Sequence, residues 1–342
     1  MAAITDGATP QYSMTTPPAK PEPRLPPYVL YAMLIIFLLV GSICLAVWMY
    51  FRYARPIGSG SAGSFIMPQS FASPWTTRPV VLLGLGDNAT QGRGASPAHG
   101  YFQRLITNPP DEFSDMQGIC LSKVIPQLQQ VNLAVADATS IDCLEQQLSQ
   151  LKAYPADTFG IVVITVGIND ILHDFGRSPP RDGALYGANL SEIGGLVSGF
   201  EKRLRLITRR ARETFPGRCR IYIANLCDPT DRDGDIELAG LPAWAHWLYA
   251  ITSFNRAISL HAKHNPDVTI VDIHSAFIGH GTHCTHFWHD NYRKQDPHYW
   301  FASDVATPNE RGHDAIRRQF LIELSRELPE LLQIGNHRRP SL

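Results

Sequence analysis

Four short polar runs in this sequence carry the residue types that chemistry uses. The first, Gly86-Asp87-Asn88-Ala89-Thr90-Gln91-Gly92, directly follows the apolar Val80–Leu85. The second, from Asn132 to Thr139, contains Asp137. The third, Gly167-Ile168-Asn169-Asp170, closes the apolar Phe159–Val166. The fourth runs from Asp304 through Thr307 and Asn309 to His313. In an open α/β sheet, ligands bind at the carboxyl ends of the strands. Four polar runs at such ends can therefore gather at one site.

Other runs offer other chemistries. His280, His283, His286 and His289 recur every third residue with Cys284 among them. Imidazole and thiolate are good zinc ligands, but this spacing matches no known metal motif, so the run reads as a solvated loop and no metal is assigned. Asp228, Asp231, Asp233 and Asp235 resemble a calcium loop. The glycine is misplaced for an EF-hand, and a solvated rim loop is the simpler reading. Gly84-x-Gly86 after a strand lacks the third glycine of a dinucleotide turn.

The elements that must position these runs follow from hydrophobic pattern. Strand-like runs at Val80–Leu85, Gln130–Val135, Phe159–Val166, Arg220–Leu226 and Val268–Ile273 alternate with amphipathic helical stripes. One stripe is Ile193, Leu196, Val197, Phe200, Leu204 and Ile207; another is Trp244, Trp247, Ile251, Phe254 and Ile258. Alternation of this kind implies a parallel, doubly wound sheet, an α/β fold. The domain is expected over residues 79–335.

Residues 28–51 are expected to cross a membrane. Tyr28–Tyr50 holds no charge and covers about 34 Å as a helix; a signal peptide is the alternative. Residues 1–27 read as a disordered, proline-rich tail. Residues 52–78, with their glycine-serine stretch, read as a flexible stalk. Lys20 and Arg24 before the span balance Arg52 and Arg55 after it, so charge does not orient the span. The domain is expected on the extracytoplasmic side. A net charge of −1 and the lack of a basic patch argue against a nucleic-acid partner. Of six cysteines, Cys44 lies in the apolar segment, and none of the six forms CxxC. For the other five, either at most two disulfides with a spare thiol or free buried thiols fit.

The order of the four polar runs resembles that of the SGNH, or GDSL-like, hydrolases, whose blocks read GDSxTxG, NxGxxGxT, GxND and DxxHPNxxGH. The resemblance covers roughly residues 80–328. It implies a five-stranded, flavodoxin-like, three-layer α/β/α sandwich. It also implies an enzyme that cleaves ester, thioester or acyl groups on lipids or carbohydrates without a cofactor. In the family, the block-one serine is the nucleophile, and the last block supplies a histidine base and its aspartate. The oxyanion hole uses the serine N–H, the second glycine of block two and the block-three asparagine.

Several of those positions are changed here. Asn88 stands at the nucleophile, Asp137 at the second block-two glycine and Thr307 at the base. Gly86, Asp87, Thr90, Gly167, Asn169, Asp170 and Asp304 are retained. A carboxamide does not become a nucleophile near neutral pH, and a threonine hydroxyl does not accept a proton as imidazole does. A carboxylate pointing into the oxyanion hole would oppose the developing charge by about 4 kcal/mol at ~4 Å. Thr307-Pro308-Asn309-Glu310 also reads as a capping box for the last helix. The sequence thus leads to a membrane-anchored hydrolase fold, catalytically impaired, that binds an acylated glycan or lipid in the old cleft. The alternative is an active, divergent esterase with a relocated base, His280 or His283. A third possibility is a purely structural anchor.

Overall fold

A computed structural model of the chain describes residues 25–172 and 185–334. The tail expected over residues 1–27 lies, up to position 24, outside the described residues. The chain divides into two compact units, Met1–Tyr50 and Phe51–Leu342. Pro27–Tyr53 forms one continuous helix with no buried residue. By length and composition it can cross a membrane.

Five strands form the sheet: β1 (Val80–Gly86), β2 (Leu128–Asn132), β3 (Phe159–Thr165), β4 (Cys219–Ala224) and β5 (Val268–Val271). All pairings are parallel, in the order β2-β1-β3-β4-β5. The five strands expected from the sequence are all present. β2 starts two residues earlier than its pattern suggested and ends at Asn132. Its chain still follows β1 beyond that point, through bonds from Leu133 N–H to the Gly84 carbonyl and from Val135 N–H to that of Gly86.

β1 and β3 read as unbroken apolar runs because both faces of the sheet are covered. Successive side chains point to opposite faces. Val81, Leu83 and Leu85 pack with the helices Leu190–Glu213 and Trp247–His264, burying Ile193, Phe200, Leu204, Trp247 and Phe254. Val80 and Leu82 pack toward the last helix, Glu310–Ile334, through Ile316, Phe320, Leu324 and Leu328. This is the three-layer α/β/α arrangement. Strand order reverses between β1 and β3, and that is where such a sheet opens a crevice at its carboxyl edge.

The stretch expected as a flexible stalk, 52–78, lies against the domain instead. Ala62, Ile66, Phe71 and Trp75 are buried in the core under the last helix. The cause is electrostatic as well as apolar. The last helix buries Arg311, Asp314, Arg317 and Arg318, and buried charges need partners. The Ala62 N–H donates to Asp314 Oδ2 at 2.9 Å, and Arg311 donates to the carbonyls of Ser59 and Gly60, each at 2.8 Å.

The rest of that charge set is closed on itself. Glu112 accepts from both Arg104 and Arg317, and Asp314 accepts from Arg317 and Arg318. Arg318 also reaches Asp115 at 2.8 Å. Burial alone would raise the Glu112 carboxyl, but the Arg104 and Arg317 guanidiniums outweigh it and hold the pKa at about 2. Removing one member leaves an uncompensated buried charge, which costs roughly 3–5 kcal/mol. Glu112→Gln therefore destabilises the domain by about 3 kcal/mol or more in denaturant unfolding followed by tryptophan fluorescence. Glu213→Gln, whose partner Arg209 is mostly exposed, changes it by less than about 0.5 kcal/mol. Equal effects of the two substitutions would show that the buried cluster is not what holds the last helix down.

Candidate active site

The first polar run turns sharply out of β1. Gly86 has φ +118°, and a Cβ there would lie 1.8 Å from the Thr165 carbonyl oxygen, so only glycine lets β1 and β3 approach this closely. The side-chain amide of Gln147 clamps the same peptide, accepting from Gly86 N–H at 2.8 Å and donating to its carbonyl at 2.7 Å. Asp87 then caps the short helix Asn88–Gln91 by accepting from the Ala89 N–H and from the Thr165 hydroxyl at 2.8 Å. Burial pushes the Asp87 carboxyl up to about 7, against the pull of those bonds. Thr90 is buried with its hydroxyl 2.5 Å from Tyr101 Oη and 2.7 Å from Thr165 Oγ1. That network fixes the turn and engages the Thr90 hydroxyl on both sides.

Asn88, the residue at the nucleophile position, is 1% exposed. Its Nδ2 donates to Thr307 Oγ1 at 3.0 Å, and that hydroxyl donates to Asp304 Oδ2 at 2.8 Å. Asp304 also accepts from the Thr307 N–H at 3.0 Å. Three side chains thus form a hydrogen-bonded chain in the order that a nucleophile, a base and its orienting acid would take. Neither the Asn88 carboxamide nor the Thr307 hydroxyl acts as the serine and the imidazole of such a chain would. Thr307 is not the N-cap of the last helix, as its capping-box pattern suggested. The helix starts later, at Glu310, and Asn309 caps it by accepting from the Gly312 N–H at 3.0 Å. That frees the Thr307 hydroxyl for Asn88 and Asp304.

Asp137 corrects a second expectation. Its backbone is left-handed, φ +62°, a conformation that glycine adopts freely and aspartate tolerates. Its carboxylate does not enter the site. It faces outward, 71% exposed, onto Arg93 at 2.7 Å, and Arg93 also lies 3.6 Å from Asp304. The Asp137 N–H remains pointed inward, where it donates to Asn88 Oδ1 at 2.5 Å. The obstacle to an oxyanion is therefore the Asn88 carboxamide, which takes up that donor, and not the Asp137 charge.

The third polar run is structural in its bonding. Asn169 Nδ2 donates to the Ala138 carbonyl at 3.2 Å. Asp170, fully buried beyond Gly167, accepts from the N–H and hydroxyl of Ser140 and from Arg203. Burial raises its pKa, with Ser140 and Arg203 opposing. Arg203 carried no sequence signal of its own, and Ser140 read only as a cap for the helix that follows.

His280 and His283 lie elsewhere. Neither bonds to Asn88, Thr307 or Asp304, and neither borders the cavity beside the turn. His280 stacks on Trp300 with ring centroids 3.4 Å apart, and burial brings its pKa down to about 4. Its Nδ1 donates to the His298 carbonyl at 3.0 Å. His283 Nδ1 donates to the Thr230 carbonyl at 3.2 Å. A relocated base at either position has no proton within reach to take from block one. The solvated-loop readings also fail. His280 and His283 are each 5% exposed, while Asp228 and Asp231 are buried. Asp231 accepts from the N–H groups of Gly279, Gly281 and His283, and so ties the histidine run to the loop after β4. The dinucleotide reading is closed off too, since Phe102, Asn132 and Thr90 crowd the space a Cβ on Gly84 would need. All six cysteines are free thiols.

The remaining site histidine, His313, is fully buried. Its Nε2 donates to the Arg93 carbonyl at 2.7 Å and its Nδ1 accepts from Tyr101 N–H at 3.2 Å. Both ring nitrogens are thus satisfied by the neutral imidazole, and it holds in place the backbone from which Arg93 reaches Asp137 and Asp304.

The profile of the GDSL-like Lipase/Acylhydrolase family matches residues 85–315, about two thirds of the chain. No curated protein matches the sequence. Among solved structures, a lipase from a goat rumen metagenome is 19% identical, with a TM-score of 0.46 over 74% of this chain and 100% of its own. A phospholipase A1 from Streptomyces albidoflavus is 17% identical, with a TM-score of 0.44 over 73% of this chain and 100% of its own. An acetylxylan esterase from Geobacillus stearothermophilus is 16% identical, with a TM-score of 0.45 over 74% of this chain and 96% of its own.

Burial lowers His313 from 6.5 to about 4. A base with a depressed folded pKa gives its full stability above the unfolded pKa and loses it as pH falls toward the folded one. At about 1.4 kcal/mol per pH unit, the wild-type chain should lose about 2–3 kcal/mol more than His313→Asn between pH 7 and pH 4.5. Denaturant unfolding of both proteins at the two pH values checks this. Parallel losses would mean that His313 is protonated in the fold.

Proposed function

Because the chain belongs to the GDSL-like lipase/acylhydrolase family, we propose that it retains the family's cleft without the family's chemistry. In this reading it binds an acylated glycan or lipid and does not cleave it. The observation that carries the reading is the closed chain Asn88–Thr307–Asp304, with the Asp137 N–H turned onto Asn88. Acyl transfer needs an activated nucleophile and a donor set free to receive an oxyanion. Here the nucleophile position is buried and non-nucleophilic, and its own oxygen fills a donor.

Space beside the turn supports an acyl ligand. An apolar cavity of about 40 Å³ is bordered by Ala89, Ile168, Leu226, Phe277, Phe301 and Val305. It exceeds what one water needs, roughly 10–15 Å³, and suits a short acyl group better than a long chain. A wider groove of about 570 Å³ is bordered by Arg52, Arg55 and Ile57 on one side and Phe301, Ser303 and Val305 on another. It could hold the polar body of such a ligand. We further place the span at residues 28–51 and the domain on the extracytoplasmic side, where the ligand is part of, or close to, the membrane surface.

Ester turnover by the purified full-length chain in detergent tests the catalytic half of the proposal. Wild type should hydrolyse p-nitrophenyl acetate at the buffer rate. Asn88→Ser alone should stay there, because Thr307 supplies no base. Adding Thr307→His should raise turnover at least about 10²-fold, the usual contribution of a positioned general base. Wild-type turnover well above the buffer rate that survives Asn88→Ala would overturn the reading and restore an active enzyme.

A further inference from the structure

The loop after β4 and the histidine run meet at a cluster that the site above does not use. Asp233, His283 and His289 each bring a ligand-type atom to one point, and these atoms all lie within 4.8 Å of one another. His289 Nε2 is 2.8 Å from Asp233 Oδ1. His283 Nε2 is 3.5 Å from Asp233 Oδ2 and 3.2 Å from Asp235 Oδ2.

The bonding around His283 makes this more than a surface ion pair. Its Nδ1 faces the Thr230 carbonyl at 3.2 Å. A carbonyl only accepts, so Nδ1 carries a proton and Nε2 is the nitrogen left to meet a ligand or a carboxylate. It faces the carboxylates of Asp233 and Asp235, which are each 44% exposed while His283 is 5% exposed, so the cluster lies at the domain surface within reach of an ion from solvent. A backbone carbonyl behind an imidazole is also the arrangement that orients histidine toward a metal. Asp235 stands beside the three, half-exposed, with Oδ2 toward His283 and Oδ1 accepting no hydrogen bond.

We propose that Asp233, His283 and His289 bind a single divalent transition-metal ion, with Asp235 beside them, and that Zn²⁺ suits the set best. In a tetrahedral zinc site with bonds of about 2.0–2.2 Å, ligand atoms lie roughly 3.3–3.5 Å apart. The two His–Asp233 separations here are 2.8 and 3.5 Å, and all three ligand atoms lie within 4.8 Å of one another, so closing the set on an ion takes side-chain rotations. Two imidazoles exclude Ca²⁺ and Mg²⁺, which take oxygen ligands. Three protein ligands leave a fourth position for Asp235 or water. Binding through Nε2 moves the His289 proton to Nδ1, and the contact given up is the long 3.3 Å bond from the Asn291 N–H. The ion would cross-link the segment after β4 to the 280–291 loop, which Asp231 already ties together by backbone bonds.

The test is Zn²⁺ titration of the untagged, metal-stripped full-length chain in detergent, against a chromophoric chelator at pH 7.5. The same titration is run on His289→Ala, Asp233→Asn and His286→Ala. His286 is the control because its Nε2 is engaged with the Phe51 carbonyl at 2.8 Å. The proposal expects one Zn²⁺ per chain at micromolar affinity or tighter, no competition from millimolar Ca²⁺ or Mg²⁺, and a rise in melting temperature on loading. His289→Ala and Asp233→Asn should each weaken binding at least about tenfold, and His286→Ala should not. If one of the two ligand variants fails to fold, the other decides. No stoichiometric binding, or binding that both ligand variants leave unchanged, would overturn the proposal. The cluster would then be a protonated His283 paired with Asp235.

Discussion

The side-chain carboxamide of Asn88 joins two strand ends and the loop before the last helix. It leaves β1 on the first turn, takes the Asp137 N–H that follows β2, and gives its own N–H to Thr307 in the loop before the last helix. Each partner is then fixed by another group. Thr307 is bonded to Asp304, Asp137 to Arg93, and the Arg93 backbone to His313. An amide has a donor and an acceptor to satisfy, and buried polar groups are costly when left unpaired. A serine in the same place would satisfy fewer of these contacts and would leave a donor open. Asn88 therefore holds its turn structurally, with its amide oxygen and nitrogen both paired. Val305, which holds φ +50° in the loop carrying Asp304 and Thr307, is a β-branched residue in the left-handed region. Such strain persists only where the surroundings over-determine it.

The same logic of closing polar groups on one another recurs away from the site. The last helix carries three buried arginines and Asp314, and Glu112, Asp115 and the 59–62 backbone pair with most of their polar atoms. This is why a glycine- and serine-rich segment, whose composition suits a free linker, instead lies along the domain. The ion cluster contributes less to net stability than its number of bonds suggests, because desolvation offsets most of the Coulombic gain. Its effect is to make position specific, since no other placement of that segment satisfies the same charges.

Much of the fold was legible in the sequence. Unbroken apolar strands, alternating helical stripes and the order of four polar blocks were enough for the sheet, its layers and the location of the crevice. Those signals are local, and tertiary packing did not contradict them. The misreadings concern side-chain direction, which a pattern does not encode. Asp137 occupies a glycine position through a left-handed backbone, so its carboxylate leaves the site that its sequence position suggested it would block. Thr307-Pro308-Asn309-Glu310 is a sound capping pattern, but Asn309 caps better once Thr307 is claimed by Asn88 and Asp304. Asp228, Asp231, His280 and His283 are polar types in a run without periodicity, and composition alone reads such a run as solvated. They are buried because Asp231 collects three N–H groups from the facing loop. Gln147, Ser140 and Arg203 hold the two turns; nothing in the local sequence marked Gln147 or Arg203, and Ser140 read only as a helix cap.

The proposed loss of chemistry requires that none of Asn88, Thr90 and Thr307, the residues at the turn, forms an acyl-enzyme. Incubation of the folded full-length chain with a fluorophosphonate, followed by intact-mass measurement, tests it directly. The account predicts an unchanged mass, because Asn88 is not a nucleophile, Thr90 is buried in its own hydrogen bonds, and Thr307 is committed to Asp304. A stoichiometric adduct that forms on the folded protein and is abolished by prior heat denaturation would contradict it.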